Sequence, residues 1–448
     1  MPLRASPSRL VTVATVAYAA VFFALGADRY LTYHAGADLG LFTQSIASAF
    51  HGFDNTVERT SHFAYHFSPI LYLLAPPLWL APSPLVLVFV QALATALVAP
   101  AIYAIARRRT DDWGAAAIAC IALLYPPLQG VTFTDFHETA FLPATIAWLL
   151  WALDARRFGI AAILVLVALA TKEDQAPAMA FLGAVAFVYF GRSRATRGVL
   201  FGAAAVVVSG LTMWGYFFVV RPLAGAPEHW VPSHFYAWHG YPVRSIGVEL
   251  AGRLTYLLEA FLPLAFLPLR TPVVLLALPG LVEVLASREP LTYTMGQHYA
   301  AAWVPYVLVA FAVAGARVWS AGTLAARRWI GAAAILCALT LAFFSPLHLG
   351  HFLGVPSRGD AAVAALAHEI PPNSSVGTYD EIYAHLGFRP RAQIGLRGMP
   401  EYVLYDRRYV SAAWNARMLP AIRAGLAGGT YRIADVRDGV FLLERAKP

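Results

Sequence analysis

Five short stretches place ionisable side chains where the surrounding sequence is almost wholly apolar. GADLGLF carries Asp38, SHFAYHFSP carries His62 and His66, and TDFHE carries Asp135, His137 and Glu138. TKED carries Lys172, Glu173 and Asp174, and TMGQHYAA carries Gln297, His298 and Tyr299. A carboxylate between apolar walls is pushed up in pKa, which suits a base acting on a hydroxyl or a ligand for a divalent cation. A lysine is a compact cation matched to phosphate. Two histidines four residues apart share a face if the stretch is helical, a spacing that permits a metal pair. Each group also has a plainer reading. Asp38 stands where an N-cap would precede LGLFTQSIASAF. His62 and His66 read equally as interfacial hydrogen bonders, Lys172–Asp174 as a structural ion pair, and Gln297–Tyr299 as an interfacial anchor.

The elements that must hold these groups follow from composition. Over 448 residues the chain is 59% hydrophobic and 13% charged, against about 25% charged in soluble domains. Long apolar runs separated by short arginine-bearing links are the pattern of a polytopic helical membrane protein. The net charge of +8 sits mostly in those links, where it orients helices, and is no nucleic-acid footprint. Cys120 and Cys337 each lie inside an apolar run, so neither a disulfide framework nor a zinc site is available.

Eleven spans are expected, at residues 10–25, 85–106, 113–126, 141–153, 160–170, 176–190, 199–220, 256–269, 273–286, 300–314 and 330–344. Counting the short, proline-punctuated run 70–80 as another would export Arg107, Arg108 and Arg109. It reads instead as an interfacial or re-entrant helix. The N-terminus is then cytoplasmic, the first outer loop covers 27–84, and the arginine links fall inside. Ionisable groups at membrane depth are costly and are functional candidates by default. On this topology all five clusters lie at outer ends, with Glu283 near the outer end of its span. The loop GAPEHWVPSHFYAWHGYP, with Trp230 and Trp238, reads as a sugar-stacking surface or part of the interfacial aromatic belt.

From about residue 355 the pattern changes. DAAVAALAHEI, DEIYAHLGF and SAAWNARMLPAIRAGLAGG read as helices. SSVGTY, RAQIGL and EYVLYD read as strands, and a final hairpin turns at Asp438-Gly439. The expected organisation is a membrane domain over 1–354 and an extracytoplasmic α/β domain over 355–448.

D-x-G-x-F at Asp38, H-F-S-P at residues 66–69, the F-D-F-H-x-E-like stretch at 135–138 and T-K-E-D at 171–174 resemble a family of bacterial and archaeal predicted membrane proteins of unknown function. The likeness runs over nearly the whole chain. The first helix, the acidic outer loop, the interfacial helix and a second span ending in basic residues resemble the start of the GT-C membrane glycosyltransferases. The resemblance implies an all-α polytopic GT-C-like protein of about eleven transmembrane helices, with a small extracytoplasmic α/β domain. It implies a polyprenyl-phosphate sugar donor entering from membrane lipid, and a glycan, lipid or protein acceptor. Asp38 is the implied base. Lys172 or the histidines, with or without a divalent ion such as Mg or Mn, are implied to stabilise the departing lipid phosphate. Many GT-C enzymes carry a paired acidic motif where this chain has Asp38-Leu39, which leaves the metal and the base open.

Two other classes stand beside this one. A transporter or flippase for a lipid-linked or small polar substrate calls for midplane polar groups and interrupted helices in related halves. The polar groups here cluster at span ends, with no internal repeat. A non-catalytic scaffold displaying the outer domain is the third reading.

Overall fold

The computed structural model describes residues 6–226, 235, 236, 238, 246–407 and 412–446. The helices that begin the chain are α1 (Pro7–Leu31) and α2 (Ala37–Ala47), followed by a short antiparallel hairpin, β1 (Asp54–Asn55) and β2 (Thr60–Ser61). The run 70–80 is a 3-10 turn, Pro69–Leu74, continued by a single α-helical turn and a half, Ala75–Leu80. Then come α3 (Leu85–Arg107), α4 (Asp112–Leu123), α5 (Pro126–Phe133), α6 (Leu142–Asp154), α7 (Phe158–Leu169), α8 (Gln175–Arg192) and α9 (Thr196–Leu223). The helices α10 (Ile246–Phe261), α11 (Leu278–Ala286), α12 (Val304–Ser320) and α13 (Leu324–Phe343) complete the apolar part.

Among the described residues four helices are long and apolar enough to cross a membrane: α1, α3, α9 and the Ala326–Phe343 part of α13. The pair α4 and α5, bent by 51° at Tyr125, makes a fifth if it is one span. Pro126 and Pro127 remove the amides that would continue α4, which explains the bend. Several other apolar runs are helices of 10–17 residues, α7 and α12 among them, shorter than the roughly 20 residues that cover a hydrocarbon core of about 30 Å. The two runs expected at 256–269 and 273–286 are broken. Between α10 and α11 the chain goes through 3-10 turns at Leu262–Leu264, Leu267–Arg270 and Pro272–Ala277, because Pro263, Pro268 and Pro272 interrupt the helical ladder.

The C-terminal part contains α14 (Arg358–Glu369), β3 (Val376–Thr378), α15 (Asp380–Tyr383), β4 (Ala392–Ile394), β5 (Tyr402–Asp406), α16 (Ala412–Ala427), β6 (Tyr431–Arg437) and β7 (Val440–Arg445). A capping box of Ser357 and Asp360 starts α14. The five strands form a mixed sheet in the order β4-β3-β5-β7-β6, parallel at β3–β4 and β3–β5 and antiparallel in the rest.

Contact density divides the chain into two units. One comprises Met1–Phe23, Ala64–Leu71 and Phe89–His348, the other Ala24–Phe63, Tyr72–Val88 and Leu349–Pro448. Most of the first loop therefore packs with the sheet. Tyr33 belongs to the same buried cluster as Val363, Leu366, Val376, Tyr383 and Leu404. Gln44 of α2 donates to the carbonyls of Arg389 and Ala392, and its own oxygen accepts from Thr56 and from the Tyr383 hydroxyl.

Candidate functional site

The helix-rich unit brings four of the sequence stretches together. Helix α7 ends at Leu169, where the Thr171 hydroxyl turns back to the Val167 carbonyl. Three ionisable residues then fill the turn before α8 begins at Gln175. Glu173 and Asp174 lie at the positive end of α8, where carboxylates are favoured. Glu173 is fastened to the H-F-S-P stretch: its Oε1 meets His66 Nδ1 at 2.9 Å and its Oε2 accepts the Phe67 amide at 2.7 Å. Lys172 Nζ stands 3.2 Å from Asp174 Oδ2, and Asp174 Oδ1 accepts from Gln175. Glu283, from α11, is a close neighbour of Asp174.

The TDFHE loop is positioned by a residue the sequence reading passed over. Gln91, inside α3, donates to the carbonyls of Thr132 and Thr134, and its oxygen accepts the His137 amide. A second polar chain runs beside it, with the Tyr18 and Thr132 hydroxyls 2.6 Å apart and Thr132 donating to Thr95. The signal for Gln91 was present: it is the lone amide in LVLVFVQALATA, where burial demands hydrogen bonds. His137 stacks on His298 with ring centroids 3.4 Å apart. The loop carrying His298 is brought close by glycine, since a Cβ on Gly130 of α5 would lie 2.6 Å from the Gly296 Cα.

Electrostatics tie these groups to one centre. Burial works against the Lys172 ammonium, but Asp174, Glu138, Glu173 and Glu283 overcome it and hold the amine well above its usual range. Burial alone would raise Glu173; the His66 ring and Lys172 outweigh it and hold the carboxyl down to about 2. Asp174 goes the other way, raised by burial against the pull of Lys172 and with the push of Glu173. His298 is lowered well below the ordinary imidazole value by burial, then by His137, Lys172 and His66. Glu138 is only 1% exposed, and its Oε2 has no hydrogen-bond partner.

A cavity of about 600 Å³ opens beside this centre. His66, Lys172, Glu173, Asp174, Glu283 and Tyr299 form its polar wall; Met213, Phe217, Val282 and Val284 are part of its apolar lining. Such a cavity suits a ligand with one charged and one greasy end.

The remaining expected site residues are elsewhere. Gln297 is half-buried and precedes the 3-10 turn His298–Ala302. Asp135 is half-buried, and its carbonyl accepts from His137. Asp38 and His62 belong to the other unit. Asp38 is not the N-cap of α2: Gly36 holds that position and Asp38 lies in the first turn, half-buried. The helical face expected for His62 and His66 does not form, because only His62–Ala64 is a 3-10 turn; His62 bonds to Glu58 at 3.1 Å and His66 to Glu173. Among the described residues no group of three or more His, Cys, Asp or Glu side chains is disposed to hold a metal ion. Trp230 lies outside the described residues, while Trp238 donates to the Ala286 carbonyl and carries the Arg253 guanidinium on its ring.

Comparison with known proteins adds three findings. The family described as "Predicted membrane protein (DUF2079)" matches residues 29–442. No curated protein matches. Among solved structures the chain is similar to ArnT from Cupriavidus metallidurans bound to undecaprenyl phosphate. The TM-score is 0.61 at 13% identity, covering 96% of this chain and 97% of that one. It is also similar to the same protein in the apo state, with a TM-score of 0.58 at 15% identity and the same coverage. The likeness shows a GT-C fold.

Proposed function

This chain belongs to the DUF2079 family of predicted membrane proteins, and from that membership and its GT-C fold we propose that it is an integral membrane glycosyltransferase. In this reading it moves a sugar from a polyprenyl-phosphate donor to an acceptor on the extracytoplasmic face. The observation that carries the reading is the cavity whose polar wall centres on half-buried Lys172 and whose remaining lining is mostly apolar. A lipid phosphate has that same division. The solved relative bound to undecaprenyl phosphate lends support at the level of fold.

The chemistry follows from the residues. Lys172 binds the donor phosphate and stabilises the charge that grows on it as the sugar leaves. The acceptor oxygen attacks the anomeric carbon, the bond from that carbon to the phosphate oxygen breaks, and a base takes the hydroxyl proton. Asp38 is the proposed base, on the strength of its place in D-x-G-x-F. Lys172 Nζ is paired with Asp174 at 3.2 Å, so a phosphate competes with Asp174 for the ammonium. Asp174, no longer paired with Lys172 and now beside the phosphate, then takes up a proton.

The test is turnover of a panel of polyprenyl-phosphate sugars by the purified protein. Lys172→Met is expected to lower transfer about 100-fold or more, the usual scale for losing a charge-stabilising donor. Asp38→Asn is expected to abolish transfer while the protein stays folded. Normal transfer by Lys172→Met would remove the phosphate role, and normal transfer by Asp38→Asn the base. A carrier reading gains ground if donor binds tightly with no turnover under any acceptor.

A further inference from the structure

The second unit contains a larger cavity that the chemistry above does not use. It has a volume of about 1350 Å³, above the range of about 300–1,000 Å³ common for single small molecules. One wall comes from the end of α2 and the β1–β2 hairpin, the other from the segment between α15 and β5. Its floor is fixed by the Gln44 hydrogen bonds to Arg389, Ala392, Thr56 and Tyr383. A groove with a stapled floor is preorganised for binding.

We infer that this groove binds an oligosaccharide, with Arg59 and Arg397 facing it from opposite walls and Phe388 supplying an apolar surface. The lining is what hydroxyl-rich chains require. Asp54, Gln393 and the two arginines offer planar acceptors and donors, and an aromatic face covers the apolar side of a sugar ring. Arg59 and Arg397 are exposed, and neither has a carboxylate partner among the described residues. Their forked donors are therefore available to a ligand. Arg59 sits at the hairpin turn with φ 64°, held there by the hydrogen bond its backbone N–H donates to the Asn55 carbonyl.

A peptide added as a strand is the competing occupant, and the edge of the sheet opposes it. β4 is the outermost strand, but the amide of Ala392 is taken by the Arg389 carbonyl. Its carbonyl accepts from Gln44 and Thr56. Half of the outward backbone groups of this three-residue strand are thus closed to strand addition.

The inference rests on the proposed transferase reading only in making this oligosaccharide the acceptor; binding is measured separately from transfer. Full-length protein in nanodiscs is screened against neutral glucan, chitin and polygalacturonate hexasaccharides and a mixed-sequence peptide library, and binders are measured by titration calorimetry. At least one hexasaccharide is expected to bind, with Phe388→Ala and Arg397→Gln each weakening it about tenfold. Lys172→Met is expected to leave that binding unchanged, which separates this groove from the other cavity. Absence of binding by all three saccharides, undiminished binding in both groove variants, or selection of peptides alone would overturn the inference. If saccharide binds as expected and no transfer is found, the groove stands and the transferase reading falls.

Discussion

At the scale of single residues, the site is a question of who neutralises whom. Lys172 has Asp174 at 3.2 Å, and phosphate must compete for the same ammonium. The pH dependence of donor binding should report that competition. The Asp174 carboxyl is raised by burial, and losing Lys172 to a phosphate raises it further, so donor binding takes up a proton. Affinity for a polyprenyl-phosphate sugar is therefore expected to fall as pH rises, and Asp174→Asn is expected to flatten that dependence. Isothermal titration in buffers of different ionisation enthalpy measures the proton directly. Uptake that persists in Asp174→Asn would place the titrating group elsewhere. The residues themselves were legible in the sequence, because TDFHE, TKED and GQHY stand out against apolar flanks. What the sequence withheld was pairing. Nothing in SHFAYHFSP says that His66 turns to Glu173 while His62 keeps Glu58, since each pairing is decided by a partner distant in the chain or by a turn rather than a helix.

At the scale of elements, close backbone approach decides whether the clusters meet. The apolar helices could be read from hydropathy, although among the described residues only four or five of the eleven expected spans are long and apolar enough to cross a membrane. The order of strands and helices after residue 355 could be read from their periods. The bends could be read only in part. Prolines at 126 and 127 mark the break after α4, but the sequence alone does not show that α5 then lies against Gly296. Gly130→Ala tests that contact. Its Cβ would stand 2.6 Å from the Gly296 Cα, which is backbone and cannot swing away, so α5 and the His298 loop must separate. We expect a lower Tm in detergent, by an overpacking cost of about 1–3 kcal/mol, together with weaker donor binding. Gly159→Ala, where a Cβ meets nothing within 4 Å, serves as the control. Equal behaviour of the two variants would mean that the Gly130 contact is not needed.

At the scale of the whole molecule, the arginine links make a definite prediction about orientation in the membrane. With Cys120 and Cys337 replaced by alanine, Phe50→Cys is expected to react with an impermeant thiol reagent added to intact cells. Arg194→Cys is expected to react only after permeabilisation. Phe50 is 83% exposed and Arg194 is also exposed, so access depends on the side of the membrane and not on burial. The reverse pattern would invert the proposed topology and with it the extracytoplasmic site.

The Gln44 bonds described above also bear on biosynthesis. Gln44 and Arg389 are separated by 345 residues, and a ribosome adding about 5–20 residues per second needs on the order of tens of seconds to cover that distance. Throughout that interval α2 has been made and its partner strand has not. Leu39, Phe42 and Ile46, all buried in the finished protein, must wait in water, against lipid or on a chaperone. The early loop thus stays without its partner until β4 is made, and a ribosome that stalls before β4 is expected to leave a product whose early loop is cleaved faster by added protease than in the full-length chain.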